Sequence, residues 1–191
     1  MKSIVFLSCA FFSLASQILI AQEQQEQFEQ QSKIAITEFA TTLKGALVTA
    51  MKSGGPTEAI TVCRQVAPTI AASLSEKYGF EIARTSLKVR NLNNKEDSWE
   101  QKVLKQFEAR KQAGEPIKML SFSEQINSDN GQELRMMKAI PTGKVCLKCH
   151  GSNISKPVQA SLNSLYPEDQ ATGFKLGDIR GAFTIRKVIT K

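Results

Sequence analysis

The chain has 191 residues, 41% of them apolar, and a formal charge of +7, which suffices for one domain with a real core but not for two comfortable ones. Its Lys and Arg residues are scattered among acidic ones, which argues against a nucleic-acid partner and fits a mixed-charge solvated face, an acidic protein partner or an anionic membrane surface.

In chain order, Lys2, an apolar run over residues 4–15 interrupted only by Ser8 and Ser13, and the small residues Ala15 and Ala21 have the build of a secretory signal. Residues 1–21 are therefore expected to be a signal peptide directing the protein to the periplasm or otherwise out of the cytoplasm. Only if this segment were retained would it act as a membrane anchor. Too short an apolar stretch precedes Cys9 for a lipidation signal. Residues 22–32, mostly Gln and Glu around Phe28, carry little apolar material and predict a flexible leader outside the core, so the folded domain is expected over residues 33–191. Ile36, Phe39, Leu43, Leu47 and Met51 then recur at three-to-four spacing, an amphipathic helix ended by Gly54, Gly55 and Pro56. A second helix begins near Thr57 and repeats the spacing through Ile60, Cys63, Ala67, Ile70 and Leu74 to Gly79. Pro68 inside it should kink or split it, and the register turns Cys63 inward.

After Gly79 the period changes to two, with Phe80 and Ile82 on one face of a short strand. Trp99, Val103, Leu104 and Phe107 predict a third helix stopping at Gly114. Leu120 and Phe122, the turn signal Asp129, Asn130, Gly131, and then Leu134, Met136 and Ile140 predict an antiparallel hairpin over residues 118–140. Val158, Leu162 and Leu165 mark a short helix after Pro157, and Phe183, Ile185 and Ile189 a last strand. Helices at the start and antiparallel strands with helices between them make an α+β domain.

Directly after the hairpin stands Cys146, Leu147, Lys148, Cys149, His150. In a CxxCH the two thiols add across the vinyl groups of one haem and the adjoining His becomes the proximal iron ligand. His150 is the only histidine in the chain. An exported protein is also where c-type attachment takes place, so one covalent haem c is the expected cofactor. Two other readings fit the residue types: a disulfide between Cys146 and Cys149, and a structural zinc on Cys63, Cys146, Cys149 and His150. The first lacks the expected βαβ opening. The second requires the adjacent Cys149 and His150 in one tetrahedron.

With Cys9 in the signal and two thiols in thioethers, Cys63 is an odd thiol on an apolar helical face. It reads either as a small core hydrophobe or as an iron ligand, with Met51, Met119, Met136 and Met137 as rival ligands.

Residues 59–71 (AITVCRQVAPTIA), 84–91 (RTSLKVRN), 138–151 (KAIPTGKVCLKCHG) and 171–183 (ATGFKLGDIRGAF) resemble a family of exported haem c proteins with a PAS-like fold, found in cyanobacteria and many other bacteria. The resemblance spans most of the mature chain, and these segments show no departure from it. It implies an antiparallel sheet flanked by helices, with N-terminal helices. It also implies a haem held by Cys146 and Cys149, with His150 as one axial ligand and a cysteine of the early helix, at the position of Cys63, as the other. A thiolate donor favours Fe(III) and a low potential, and its loss on reduction would be a switch. The expected function is a redox or ligand sensor acting through a separate signalling or redox protein. The alternative is a low-potential electron-transfer cytochrome steered to its partner by Lys144, Lys148 and Lys156. No catalytic residues are expected, since no second histidine exists to act as a base. Arg84, Arg90 and Arg180 are candidate partners for the haem propionates.

Overall fold

A computed structural model describes residues 8–128 and 131–189. Helix α1 (Ser8–Ser53) is followed by α2 (Gly55–Thr61), a π-helical turn (Val62–Val66) and α3 (Ala67–Tyr78). The first break is set by Gly55, whose φ of +71° only glycine adopts freely, and by Pro56 at the start of α2. The second is the split expected at Pro68. That residue has no N–H to give to the carbonyl four back, and its ring would press against it. The chain answers with a wider turn, closed by the Ala67 N–H to Val62 O bond, before α3 resumes.

Strand β1 (Glu81–Thr85), helix α4 (Ser98–Gln112), strands β2 (Ser121–Ser128) and β3 (Gly131–Pro141), the short α5 (Leu147–His150), α6 (Lys156–Leu165) and β4 (Ile179–Ile189) complete the fold. The four strands form one antiparallel sheet in the order β1-β4-β3-β2. This α+β, PAS-like arrangement is the one expected. Helix α4 starts on a capping box, in which Asp97 accepts the Glu100 N–H while Glu100 accepts that of Asp97.

The sheet separates two apolar layers because side chains alternate along each strand. On one face Phe39, Ile36 and Leu74 of α1 and α3 pack on Ile82, Leu134, Met136, Phe183 and Ile185. On the other, Val103, Leu104 and Phe107 of α4 pack on Met137, Ala139 and Ala182.

Residues 22–32 depart from the expectation. They continue α1, and Phe28, 2% exposed, meets Phe80 edge-on with ring centroids 6.0 Å apart. A polar stretch holds one apolar anchor on the buried side of a long helix, so it is core, not a flexible leader. Gln22–Ser53 is long and apolar enough for a membrane span, yet its Phe28, Ala35, Ile36 and Phe39 are spent on the sheet. Phe28→Ala is expected to cost about 3–5 kcal/mol in urea unfolding, whereas a flexible leader predicts no change. From the expected signal segment, residues 1–7 lie outside the described residues, and so do the turn residues Asp129 and Asn130.

Candidate cofactor site

Beyond the α1-covered part of the sheet, a cleft opens between the C-terminal half of α1, α2, the π turn, the end of β1 and the CxxCH segment. It measures about 1160 Å³ with its mouth included. Leu43, Leu47, Met51, Ala59, Ile60, Ile140 and Val145 give it apolar walls, and all four predicted site residues, Cys63, Cys146, Cys149 and His150, line it. The three described thiols are free. Among the described residues no three His, Cys, Asp or Glu side chains converge as a bare metal ion would need, which counts against a structural zinc.

The motif folds into one helical turn, with the N–H groups of Cys149 and His150 both reaching Cys146 O, at 3.2 and 2.9 Å. At Gly151 a Cβ would sit 2.6 Å from Leu147 O, so the sharp exit from this turn requires glycine. The segment 171–174 then lies along the motif. Phe174 N–H donates to His150 O (2.9 Å), Gly173 N–H to Gly151 O (3.0 Å), and His150 Nδ1 to Ala171 O (2.7 Å). Because a carbonyl only accepts, the last bond puts the ring proton on Nδ1 and leaves Nε2 with its lone pair, the tautomer a metal-ligating imidazole needs.

Arg90 and Asp169 lock this arrangement. Their side chains are each under a tenth exposed and pair at 2.9 Å. Arg90 also donates to Cys149 O (2.6 Å) and Ala171 O (3.3 Å), its Nη1 lies 3.5 Å from His150 Nε2, and Asp169 accepts the Ala171 N–H (2.8 Å). Burial holds the His150 pKa well below the ordinary imidazole value, and the neighbouring Arg180 and Arg90 add to the effect. In the cofactor-free chain the unfolded state therefore binds a proton below pH ~6.5 that the folded state refuses. That stability is complete above pH ~6.5 and should fall by about 1.4 kcal/mol per pH unit below it, until the folded pKa is reached. Urea melts of the cofactor-free chain between neutral and mildly acidic pH check this, and His150→Gln should flatten the slope in that window.

Cys63 reaches the cleft from the π turn, an element common at functional sites because it breaks the regular spacing of side chains. Of the rival methionines, Met51 shares the cleft, Met136 and Met137 are buried in the two sheet layers, and Met119 is 66% exposed. Tyr166, buried and absent from the sequence expectations, closes the cleft from the end of α6. At the β4 side Gly181 has φ +155°, and a Cβ there would meet Thr85 O at 2.3 Å, so β1 and β4 approach at the cleft edge as only glycine permits.

The three expected arginines all line the cleft, but they differ in what they already hold. Arg90 is committed to Asp169 and the backbone. Arg180 gives Nη1 to Ser86 Oγ and Lys88 O, while its buried Nε has no partner. Arg84 lies over the Phe39 ring (5.6 Å) and has no hydrogen bond or ion pair among the described residues. Burial pushes Arg180 down to about 10, with Arg90 and Arg84 adding repulsion. Burial lowers Arg84 too, partly offset by Cys63. Two desolvated cations without a carboxylate, beside an apolar cleft with an imidazole lone pair and two adjacent thiols, suit a flat apolar group with anionic arms and a metal centre. Haem is such a group, and the residues present fit it.

No curated protein matches the chain. Among solved structures, the crystal structure of the cyanobacterial heme-protein Tll0287 superposes with a TM-score of 0.61 at 22% sequence identity, covering 82% of this chain and 93% of that one. At that identity the likeness is one of fold. The family model described as Tll0287-like matches residues 15–187, nearly the whole chain, and the chain therefore belongs to the Tll0287-like family.

Proposed function

We propose that the protein is an exported monohaem c-type protein, with haem attached through Cys146 and Cys149 and ligated by His150 and Cys63, and that it serves as a redox or ligand sensor acting through a separate protein. The observation that carries this reading is His150, the only histidine in the chain. It is held by its Nδ1–H bond to Ala171 O in the Nε2-donor tautomer, in a cleft that also presents Cys63 and both motif thiols. The family and the haem protein that shares the fold support the cofactor. The apolar N-terminal run supports export, to a compartment where c-type attachment occurs.

Haem, when bound, supplies one-electron chemistry. Cys146 and Cys149 would hold the group covalently, His150 and Cys63 would ligate its iron, and Arg84 and Arg180 would neutralise its propionates. A thiolate donor would favour Fe(III) and a low potential, which suits a switch better than a peroxidase. Exposed Lys144, Lys148 and Lys156 favour electron carriage as the second reading.

The test is expression in an exporting host with a c-type maturation system. The expected outcome is one haem per chain that survives denaturing electrophoresis and acid extraction, and that is lost when Cys146 and Cys149 are both replaced by Ala. Stoichiometric zinc, or haem freed by acid, would overturn the reading. A change in partner affinity with oxidation state selects the sensor; fast, salt-sensitive electron exchange without such a change selects the carrier.

A further inference from the structure

On the α4 side of the sheet a second cleft opens, between β1, β4, β3 and the start of α4. It measures about 590 Å³ with its mouth included, and its wall includes Ala83, Thr85, Arg135 and Thr184 of the strands with Asn94 and Lys95 of the loop before α4. Strand register puts it there: Ala83 pairs with Thr184 and Thr85 with Ala182, which belongs to the layer under α4. Arg84, between them in sequence, pairs with Phe183 and turns to Phe39 on the α1 side. Yet Arg84, Thr85 and Asn94 line both clefts, so the end of an edge strand is the wall that the polar cleft shares with the cofactor cleft.

That wall holds polar groups for which the fold has no use. Thr85 and Arg135 are 4% and 6% exposed, and Thr85 Oγ1 and Arg135 Nε are buried without a hydrogen-bond partner. Thr184, also buried, makes no side-chain hydrogen bond among the described residues. The acids at the cleft, in contrast, are engaged. Asp97 and Glu100 pair with Arg135 through Nη1 (2.6 Å) and Nη2 (3.4 Å), and Glu81 lies 3.8 Å from Arg186, which Glu133 also holds. What is left over is one guanidinium N–H and two hydroxyls, all able to donate, gathered at one opening. Buried polar groups are ordinarily paired, and convergent unpaired donors in a cleft call for an acceptor from outside the chain.

We propose that this cleft binds a small oxyanion, a carboxylate or a phosphate, through Thr85, Thr184 and Arg135 Nε, and that the anion tunes the cofactor across the wall at Arg84. The binding half stands on the cleft alone; the tuning half rests on the haem reading and gives the sensor a class of ligand. A negative charge at Thr85 adjoins Arg84, the residue assigned to a propionate, and so favours Fe(III) over Fe(II). The ferric protein then binds the anion more tightly, and by reciprocity the anion lowers the potential.

The test is calorimetric titration of the full-length ferric holoprotein with sodium succinate and with sodium phosphate, against sodium chloride at equal ionic strength. At least one oxyanion should bind and chloride should not; the one that binds identifies the acid group of the ligand. Thr184→Val, which touches the polar cleft and not the cofactor cleft, should weaken binding about tenfold. Its haem content and urea unfolding should match the parent, since the hydroxyl removed holds nothing in the free protein. Lys95→Gln should weaken binding as well, whereas Lys118→Gln, an equal change of charge on another exposed lysine, should not. Binding of neither oxyanion, or binding that Thr184→Val and Lys95→Gln both leave intact, would overturn the site. At saturating oxyanion the midpoint potential should fall by about 28 mV or more, the counterpart of threefold tighter binding to the ferric form at about 59 mV per tenfold. An unchanged midpoint would overturn the tuning. A preparation without haem defeats the haem reading and the tuning with it, while the same titration of that chain still decides the cleft.

Discussion

Asp169→Asn is expected to lower the stability of the folded chain by about 3–5 kcal/mol, the cost of leaving one member of a buried ion pair uncompensated. Both partners are under a tenth exposed, so solvent screening does not soften the loss. Arg90 would keep its bonds to Cys149 O and Ala171 O but would carry a buried charge with no anion, and the Ala171 N–H would lose a charged acceptor. Urea unfolding measures the cost, and a loss below about 1 kcal/mol would mean that the pair is solvated. Arg90→Leu combined with Asp169→Asn should recover part of the loss, because removing both charges is milder than orphaning one. Arg90→Lys should not substitute, since an ammonium cannot serve Asp169 and two carbonyls in one planar fork. In the holoprotein, loosening Ala171 O should also alter the orientation of the His150 ring, and the ferric electron paramagnetic resonance spectrum should shift with it.

Cys63→Ser is expected to leave the thioether links intact and remove the thiolate signature from the ferric absorption and electron paramagnetic resonance spectra. Cys63→Met should raise the reduction potential on the order of 100 mV, within the roughly 0.8 V that axial ligands command, because a thioether gives Fe(III) less charge than a thiolate. The fold should survive both, since Cys63 is only half-buried and belongs to neither sheet layer. If Cys63→Ser had the spectra of the parent, the thiol would be packing only. Met51, the one methionine in the same cleft, would then be the ligand to examine by Met51→Leu.

Most of the helices and the hairpin could be read from the sequence because they are local. The spacing of Phe39, Leu43 and Leu47, the stop at Gly54–Pro56 and the alternation around Leu134 and Met136 are each written within a dozen residues. Pro68 announced a break, though not that the break would be a π turn, since a proline states only which bond is missing. Phe28 was hidden because a single aromatic among glutamines gives no period; its role depends on Phe80, far along the chain. The candidate site was legible where chemistry demands fixed spacing, at Cys146, Cys149 and His150. Asp169 and Tyr166 were not, and Ala171 only as the first residue of a resembling segment, because the bonds of Asp169 and Ala171 to Arg90 and His150 close over 21 to 81 residues. Arg84 and Arg180 separate from Arg90 only once each guanidinium is seen with its partners.

The widened turn over Val62–Val66 holds one residue more than a regular helix of the same span. Because the extra residue is absorbed within the turn, α2 and α3 keep their own faces, with Leu74 on the sheet, while the residues of the turn, Cys63 among them, leave the regular helical register. The place of Cys63 in the cleft is thus set by the turn itself and is free to vary without any change in the core that α3 packs.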